Sequence, residues 1–574
     1  MQQLSGQDAM FLHAEMKGLP QHIGGISIYD PSTAPGGKVR FKDILAMLQS
    51  RVHLSPIFRR KLVTVPMGLG QPYWEEDVNF DLEYHVRHIA LPKPGDWRQL
   101  CILAARLHAI PLSRDKPLWE IYIIDGLDDV QGVPPGCFAL LLKVHHSAMD
   151  GATGARFMNI MHDMTPEIQP APPAPPWVVQ PASKVSMLAK AYVDAWRKPG
   201  ELAKIIRDAI PAYRRIKRGY KDQEFEEQGD IPKTRFQGKI SPYRVVDAKI
   251  FDFATVRAMK NAVPGATIND AMLAVVSGAL RRYLQSKGEL PQESLVTGCP
   301  VDVRTREEQE TGGNMVGFMN LSLCTDIADP AKRLAAIHKK SVEAKAYAQA
   351  LGPRISLDIT NLIPGSVLSV ALRAAAVTGL TESSVMTNTV VTNVPGANFQ
   401  LYLCGAEMVA GISMGPLLPN IGLFHIVYSA VQGKQGTITL SFTACREMLP
   451  DPAFYAQCLQ DSFDELCTTL LSASERAALK PGKKSAAKTK ALTKTKTKTK
   501  TQAKTKTKTK AKSRGKTKAA SGTPARTKTK AAARAAKKTR PSDKSATVKR
   551  APTARKQRAG VKAKPKHAAA QTES

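Results

Sequence analysis

The sequence contains no uncharged apolar run as long as the roughly 18 residues that a membrane-spanning helix requires. Its first residues, Met1 to Ser5, also lack the basic region and the apolar stretch of a signal peptide. We therefore expect a cytoplasmic protein. Where an inner membrane or a lipid inclusion is involved, the protein should lie on its surface without crossing it.

The sequence also lacks any CxxC pair or other cysteine spacing that is typical of a zinc site. Its eight cysteines are dispersed along the chain, as expected for reduced thiols in a cytosolic protein. We predict neither a metal site nor a disulfide framework. The cysteines are Cys101, Cys137, Cys299, Cys324, Cys404, Cys445, Cys458 and Cys467.

Residues 481–574 lack Phe, Tyr and Trp and contain only two acidic residues against 32 Lys and Arg. Their formal charge is therefore +30 of the total +33, which leaves residues 1–480 nearly neutral at +3 and excludes a nucleic-acid-binding body. Such a tail cannot bury enough apolar surface to fold, so disorder is predicted. It would contact DNA or anionic lipid through charge alone, without sequence specificity, unless it serves only to keep the protein soluble.

The remaining chain alternates strand-like and helix-like patterns, which predicts an α/β protein with two lobes. We assign an N-terminal lobe to residues 1–165 and a C-terminal lobe to 240–475. A Pro-rich and helical linker covers 166–239, and the disordered tail covers 476–574. Helices are predicted at 97–110, 152–164, 184–225 and 271–284, and a buried strand is predicted at 138–144.

The buried strand leads directly into an HHxxxDG motif at residues 145–151. Histidine is the side chain best suited to accept a proton near neutral pH, and His146 is the predicted general base. His145 points the opposite way along the strand and is predicted to be structural. Asp150 would hold the turn through an arginine, and Gly151 would permit a backbone conformation that a side chain forbids.

Two other interpretations of the sequence remain open. Adjacent histidines could bind a metal, although no third ligand stands at a recognisable spacing. Residues 411–415 fit the GxSxG pattern of a serine hydrolase around Ser413, but Pro416 and Pro419 do not suit the helix that follows such a nucleophile. Without a Ser or Cys nucleophile, direct transfer in a ternary complex is the simplest reaction.

Several further blocks make the chain resemble the bacterial wax ester synthase/diacylglycerol acyltransferase family, over about residues 4–470. They are Leu4 to Phe11, His22 to Gly25, Phe80 to Val86, Pro117 to Glu120, Asn269-Asp270, Pro300 to Arg304 and Asn393 to Gly396. The resemblance implies two lobes like those of chloramphenicol acetyltransferase, with the catalytic histidine in a tunnel between them. It also implies that Asn269, Asp270 and Arg304 help to shape the site.

By this resemblance the substrates are a long-chain acyl-CoA, with no other cofactor, and either a diacylglycerol or a fatty alcohol. The products would be triacylglycerol or wax ester. Arg304, Arg59 and Arg60 are the candidate partners of Asp150. The chain departs from the family pattern at Ala397 and His425, which puts the choice of acceptor in question. Two alternatives are a condensation-type acyltransferase with another acceptor, such as an amine, and a polyanion-binding scaffold of lipid inclusions with weak activity.

Overall fold

The computed structural model describes residues 2–66, 70–149, 151–174, 183–222, 229–302, 316–351, 374, 385–432 and 435–479. In residues 1–165 the strands are β1 (Gln2–Gln3), β2 (His22–Asp30), β3 (Arg60–Val63), β4 (Tyr73–Glu76), β5 (Val86–Ala90), β6 (Trp119–Asp125) and β7 (Phe138–His145). Later strands are β8 (Arg244–Asp252), β9 (Val296–Asp302), β10 (Val316–Ser322), β11 (Thr389–Pro395), β12 (Tyr402–Leu403), β13 (Ala406–Met414), β14 (Leu423–Gln432) and β15 (Gln435–Cys445).

The α-helices among these residues are distributed over the whole described chain. They are α1 (Gly6–Ala14), α2 (Phe41–Arg51), α3 (Leu82–His85), α4 (Trp97–Ala109), α5 (Gly151–Met161), α6 (Lys184–Lys221), α7 (Phe253–Asn261), α8 (Ile268–Ser286), α9 (Pro330–Leu351), α10 (Pro452–Leu470) and α11 (Ala473–Leu479). No helix in the described part of the chain is both long enough and apolar enough to span a bilayer.

The first large sheet has the strand order β12-β13-β2-β7-β6-β5, so β7 lies near its centre. Helices and loops cover both faces of this sheet, which explains why β7 is almost continuously apolar and buried. The pairing of β7 is antiparallel to both neighbours and places His22 opposite His145 and Trp119 opposite Val144. The predicted strand at 138–144 is therefore present, one residue longer.

Strands β12 and β13 belong to the first sheet although they come from the C-terminal part of the chain. Strand β13 pairs antiparallel with β2, with Glu407 opposite Asp30 and Met414 opposite Gly24. The predicted division into two lobes did not anticipate this exchange. Residues Met1–Lys483 form one compact unit, in which the two parts of the chain share a sheet.

The second large sheet has the order β10-β9-β11-β14-β15-β8 and contains both parallel and antiparallel pairs. Helix α8 is apolar nearly all round and lies against it in the largest hydrophobic cluster of the described residues. A small sheet, β1-β4-β3, lies at the N-terminal end of the chain. The mixed sheets with flanking helices agree with the predicted α/β class.

The predicted helices are present, and the ends of three of them are shifted. Residues 223–225, the last of the predicted 184–225 helix, lie outside the described residues. Helix α4 starts in a capping box between Asp96 and Gln99, and α6 starts at the N-cap Ser183. Helix α5 ends at Met161, before the predicted Met164, because the backbone of Asp163 exchanges two hydrogen bonds of 2.9 Å with Tyr402 in β12. The exchange of strands between the two parts of the chain thus sets the end of α5.

Candidate active site

The two adjacent histidines lie where β7 ends and the chain turns towards α5. Hydrogen bonds from both neighbouring strand regions fix their backbone. The N–H of His145 donates to the carbonyl oxygen of Leu118 at 3.0 Å, and the N–H of His146 donates to that of Gln21 at 2.9 Å. The two imidazoles therefore leave a turn whose position is set by the central strands of the sheet.

The imidazole of His145 is buried and has a protein partner at each ring nitrogen. Its Nδ1 accepts the backbone N–H of Ser147 at 3.1 Å and lies 2.8 Å from the Ser147 hydroxyl. The other nitrogen, Nε2, lies 3.1 Å from a carboxylate oxygen of Glu15 and is therefore the nitrogen that carries the proton. Both nitrogens are occupied, which argues against the metal-ligand interpretation of this residue.

One carboxylate oxygen of Glu15 accepts two hydrogen bonds. Arg114 donates to the same oxygen as His145, at 2.8 Å. Burial alone would raise the pKa of Glu15, but the hydrogen bonds and charges of His145 and Arg114 outweigh it and lower that pKa. Burial lowers the pKa of His145 against the opposing effect of Glu15, so the imidazole is held neutral. Glu15 thus fixes the tautomer of His145.

His146, in contrast, is only partly buried. Its ring stacks on Phe11, with the centroids 3.9 Å apart and an angle of 5° between the planes. Stacking on a rigid aromatic ring limits rotation of the imidazole without using either of its nitrogens. Of the two histidines, His146 is the one with both a defined orientation and access to solvent.

Helix α1 and its C-cap residue, Glu15, supply contacts to both histidines. The helix begins at the N-cap Ser5, whose hydroxyl accepts the N–H of Asp8 at 3.0 Å. Phe11 and Glu15 are four residues apart and so lie on the same side of the helix end. This spacing brings one to the ring of His146 and the other to the ring of His145.

Further buried polar side chains support β7 from behind. His22 donates from Nδ1 to the carbonyl of His108 and accepts the N–H of Leu112, and its burial keeps its pKa well below the usual value. Burial likewise lowers the pKa of His108 to about 3. Lys143 is fully buried, forms an ion pair with Glu120 at 2.8 Å and donates to two carbonyls at the end of α4. These contacts lock β7 to α4.

Two of the blocks singled out in the sequence contact each other beneath the site. His85 donates from Nδ1 to the carbonyl of Trp119 at 2.8 Å, and the two rings stack with centroids 4.6 Å apart. The indole N–H of Trp119 donates to the carbonyl of Phe58 at 3.0 Å. The 80–86 and 117–120 blocks thus form a packed support for the strands that carry the histidines.

The motif residue Asp150 and the candidate partner Arg304 lie outside the described residues, whereas Gly151 is the first residue of α5. Arg60 donates to the carbonyl of Ala148 at 3.3 Å, and burial lowers its pKa to about 10. Arg59 lies 4.0 Å from Glu76 in β4. Of the two described arginines, Arg60 therefore contacts the turn of the motif directly.

Asn269 and Asp270 lie in the first turn of α8. Asp270 is fully buried and completes a capping box with Thr267, whose N–H it accepts at 2.9 Å. It also lies 3.0 Å from Nδ1 of His338 in α9, and Asn269 beside it is partly buried. The described contacts of Asp270 thus fix where α8 begins and how α9 packs on it.

The GxSxG segment is not a nucleophile elbow. Ser413 lies within β13, which pairs with β2, and the strand passes into a loop without a following helix.

His425, where the sequence departs from the family pattern, has a protein partner at each ring nitrogen. It is buried within β14 between the hydroxyls of Thr389 and Tyr455, at 3.0 and 2.8 Å.

Gly396, in the 393–396 block, lies close to an aromatic ring. A Cβ atom at this position would lie 2.5 Å from the ring of Tyr428, so any other residue there would require the ring to move. This contact explains the block as a packing feature. It places the end of β11 against β14 in the second sheet.

Sequence reasoning missed Glu15 and did not assign a specific contact to Phe11. Their four-residue spacing on a capped helix was a usable signal, because both residues must then lie on one face. Lys143 and Glu120 gave a weaker signal, namely a lone lysine within an apolar strand. The pairing of His22 with His145 gave no signal in the sequence, because the register between strands so far apart in the chain is not encoded locally.

Comparisons with known proteins identify the family of the chain. The model of the wax ester synthase/diacylglycerol acyltransferase catalytic domain matches residues 4–272, and that of the C-terminal domain of the same family matches residues 312–467. A Mycobacterium tuberculosis CDC 1551 protein named as a diacylglycerol O-acyltransferase is 32% identical over 476 residues, covering 83% of this chain and 91% of the relative. A second protein of that strain and name is 34% identical over 441 residues, covering 75% and 90%.

The solved structure of a wax ester synthase/diacylglycerol acyltransferase from Marinobacter aquaeolei VT8 is similar at 26% identity, with a TM-score of 0.57. The match covers 82% of this chain and 99% of that one, which confirms the predicted two-lobed acyltransferase fold. Family models, relatives and fold agree on one assignment. The chain is an acyltransferase and belongs to the wax ester synthase/diacylglycerol acyltransferase family.

Proposed function

We propose that the protein transfers a long-chain acyl group from acyl-CoA to a hydroxyl acceptor, with His146 as the general base. The acceptor is a diacylglycerol, which gives triacylglycerol, or a long-chain alcohol, which gives a wax ester. The observation that carries this proposal is the contrast within the histidine pair. Both nitrogens of His145 have protein partners, whereas His146 is oriented by Phe11 and partly exposed.

The reaction proceeds in a ternary complex without a covalent enzyme intermediate. His146 takes the proton of the acceptor hydroxyl while the oxygen attacks the thioester carbonyl and forms a tetrahedral intermediate. The intermediate collapses as its C–S bond breaks, and the imidazolium of His146 returns the proton to the thiolate. The products are the ester and free CoA, and His146 is again neutral.

The other motif residues position this base. His145, held by Glu15 and Ser147, fixes the end of β7. Gly151 opens α5, and Asp150 is proposed to hold the turn through an arginine, either Arg304 or Arg60. Support for Arg60 comes from its hydrogen bond to Ala148, two residues before Asp150.

We further propose that Asn269, Asp270 and Arg304 shape the site from the second half of the chain. For Asp270 the proposed route is indirect. Its capping box and its contact with His338 set the start of α8, which fixes where the preceding residue, Asn269, is placed. Asp270 itself then need not touch the substrate.

The proposal is tested with labelled long-chain acyl-CoA and either hexadecanol or diacylglycerol as acceptor. Labelled neutral lipid is expected from at least one acceptor and should be lost in His146→Ala. The matched control is His88→Ala, a surface histidine that pairs with Asp125. Label in neither product would contradict the proposal and favour an amine acceptor or a polyanion-binding inclusion scaffold.

The basic tail, residues 481–574, is proposed to tether the enzyme to an anionic surface, either an inner membrane or a lipid inclusion. Support comes from its formal charge of +30 and its lack of aromatic residues. DNA is the competing polyanion. Deletion of the tail should leave specific activity intact and move the protein from the membrane or inclusion fraction to the soluble fraction, and an unchanged distribution would contradict the tether.

A further inference from the structure

The C-terminal part of α6 exposes a row of basic side chains. We call the outer face of α6 the exposed side formed by Arg207, Ile210, Tyr213, Arg214, Lys217, Arg218 and Lys221. At 100° per residue these positions fall on one side of the helix, because they recur at intervals of three, four and seven. The face is therefore a continuous strip along three to four turns of the helix.

The opposite side of the same segment faces the protein. Ala212 and Gly219 are buried there, and the guanidinium of Arg215 donates to the carbonyl of Ala350 at the end of α9 at 3.0 Å. The ring of Tyr220 lies 6.4 Å from that of Tyr347 in α9. These contacts set the rotation of α6, so the basic row points outwards as a consequence of packing.

The start of α6 is anchored as well. Met187 and Ala191 are buried in a cluster with Val65 and Tyr73, beside the small sheet. With one end on this cluster and the other on α9, the helix is held along the body at both ends. Its outer face is thus a fixed surface.

Apolar and aromatic side chains stand among the basic ones on this surface. Ile210 is 48% exposed and Tyr213 is 67% exposed, while Tyr220 at the border with α9 is 39% exposed. A surface helix that serves only as a spacer would carry polar residues at these positions. Tyrosine among lysine and arginine is typical of helices that lie in a membrane interface.

Charge is concentrated here relative to the rest of the body. Residues 207–221 contain six basic residues and one acidic residue, whereas residues 1–480 together have a formal charge of only +3. Such a patch attracts a polyanion. Ile210 and Tyr213 favour a lipid surface over nucleic acid, because an aliphatic side chain gains nothing from a phosphate backbone but is stabilised when buried among lipid headgroups.

We propose that the outer face of α6 docks the enzyme on an anionic phospholipid surface, independently of the basic tail. The proposal rests on the proposed function in one respect. Diacylglycerols and long-chain alcohols reside in lipid, so a docked body would take its acceptor from the surface on which it lies. Lys and Arg would bind the headgroups while Ile210 and Tyr213 insert between them.

The test measures co-sedimentation with vesicles of phosphatidylcholine, with or without about a third of phosphatidylglycerol. The full chain is compared with residues 1–483, which contain the whole compact unit. Two variants probe the face, Arg214→Gln/Lys217→Gln/Lys221→Gln and Ile210→Ser/Tyr213→Ser. The matched charge control is Lys38→Gln/Lys42→Gln/Arg106→Gln. These three basic residues are exposed and far from α6 in the sequence.

Each basic residue near an anionic leaflet contributes about fivefold to partitioning, so the triple variant of 1–483 should bind at least tenfold more weakly and up to about a hundredfold. The Ile210→Ser/Tyr213→Ser variant should also bind more weakly, and the charge control should bind within about threefold of the parent. Equal loss in the control, or no loss in either α6 variant, would overturn the proposal. So would a loss of binding to duplex DNA with vesicle binding unchanged.

An activity assay separates this proposal from the proposed function. With a short-chain acyl-CoA and a water-soluble alcohol, the α6 variants should react like the parent. With diacylglycerol embedded in the anionic vesicles, their turnover should fall in step with binding. If no variant or parent transfers acyl groups, the proposed function fails while the vesicle binding data still decide the docking surface.

Discussion

Two of the histidine–carboxylate contacts among the described residues have nearly the same length but lie in different parts of the fold. His145 lies 3.1 Å from Glu15 at the end of β7, and His338 lies 3.0 Å from Asp270 at the start of α8. In the first contact the histidine is the more buried partner, and in the second the carboxylate is. The length of a histidine–carboxylate contact therefore does not indicate whether the pair serves catalysis or packing.

What differs is the surroundings of each pair. The contact of Glu15 fixes a histidine whose neighbour in sequence, His146, is partly exposed and oriented by an aromatic ring. The contact of Asp270 completes a capping box and joins two helices. A histidine–carboxylate pair therefore indicates chemistry only where a second, accessible group stands beside it. Four predictions test this contrast.

The largest effect is expected at the histidine beside the first pair. If His146 is the general base, as proposed, His146→Ala should lower kcat by about a thousandfold, within the 10²–10⁴ range of general-base catalysis. Removal of the histidine of the second pair, in His338→Ala, should leave kcat within about threefold. Steady-state kinetics with the preferred acceptor measures both, and similar losses in the two variants would contradict the contrast.

Glu15→Ala should lower kcat by about a hundredfold with little change in KM, because the end of β7 and the proposed base, His146, lose their fixed position. Glu15→Gln should recover most of the activity, since its amide oxygen can accept the Nε2 proton of His145. Loss of the negative charge in Glu15→Gln should also move the acidic limb of the pH–rate profile to lower pH. A role confined to stability would leave that limb in place.

A buried histidine without a carboxylate, His425, supplies the reference for the two pairs. Burial lowers its pKa to about 3, so protons bind mainly to the unfolded chain as the pH falls below about 6.5. Between pH 6.5 and pH 5 this linkage should remove about 2 kcal/mol of stability. In His425→Asn the loss of stability between these pH values should be smaller by that amount, with activity retained. Urea unfolding of the parent and of His425→Asn at the two pH values measures this difference, and an equal loss of stability in both proteins would contradict the prediction.

The smallest effect is expected for Asp270→Ala, which removes the capping box of α8. Loss of such a cap costs about 1 kcal/mol of stability. Activity at a temperature well below unfolding should fall by no more than about tenfold, because Asp270 acts only through the placement of Asn269. Thermal unfolding combined with kinetics measures both quantities, and a large loss of kcat at unchanged stability would show that Asp270 touches the substrate.

Much of this architecture could be predicted from the sequence, because local patterns determine it. The strand at 138–145 follows from an apolar run, and the helices at 97–109 and 268–286 follow from periodicity and capping residues. The histidine motif and the surrounding blocks predicted the family and its fold, which the comparisons confirm.

The remainder depends on contacts that no local pattern encodes. Glu15 meets His145 across 130 residues, and the end of α5 is set by pairing with Tyr402. The spacing of Phe11 and Glu15 indicates a shared helix face, but nothing in the residues around either contact identifies the partner. The role of Asp270 illustrates the opposite case, in which a capping pattern and a family motif coincide at one residue.

The pairing of β13 with β2 also governs how the protein is made. One edge of β2 pairs with β7, but the other edge has no partner until residue 414 has been synthesised. That is well over two hundred residues after β7 is complete. At 5–20 residues per second this interval lasts tens of seconds, roughly. Throughout it the nascent chain presents an open strand edge, which is a site for wrong pairing. The first lobe therefore matures only after most of the second has left the ribosome, and premature termination within the second lobe would leave both unfinished.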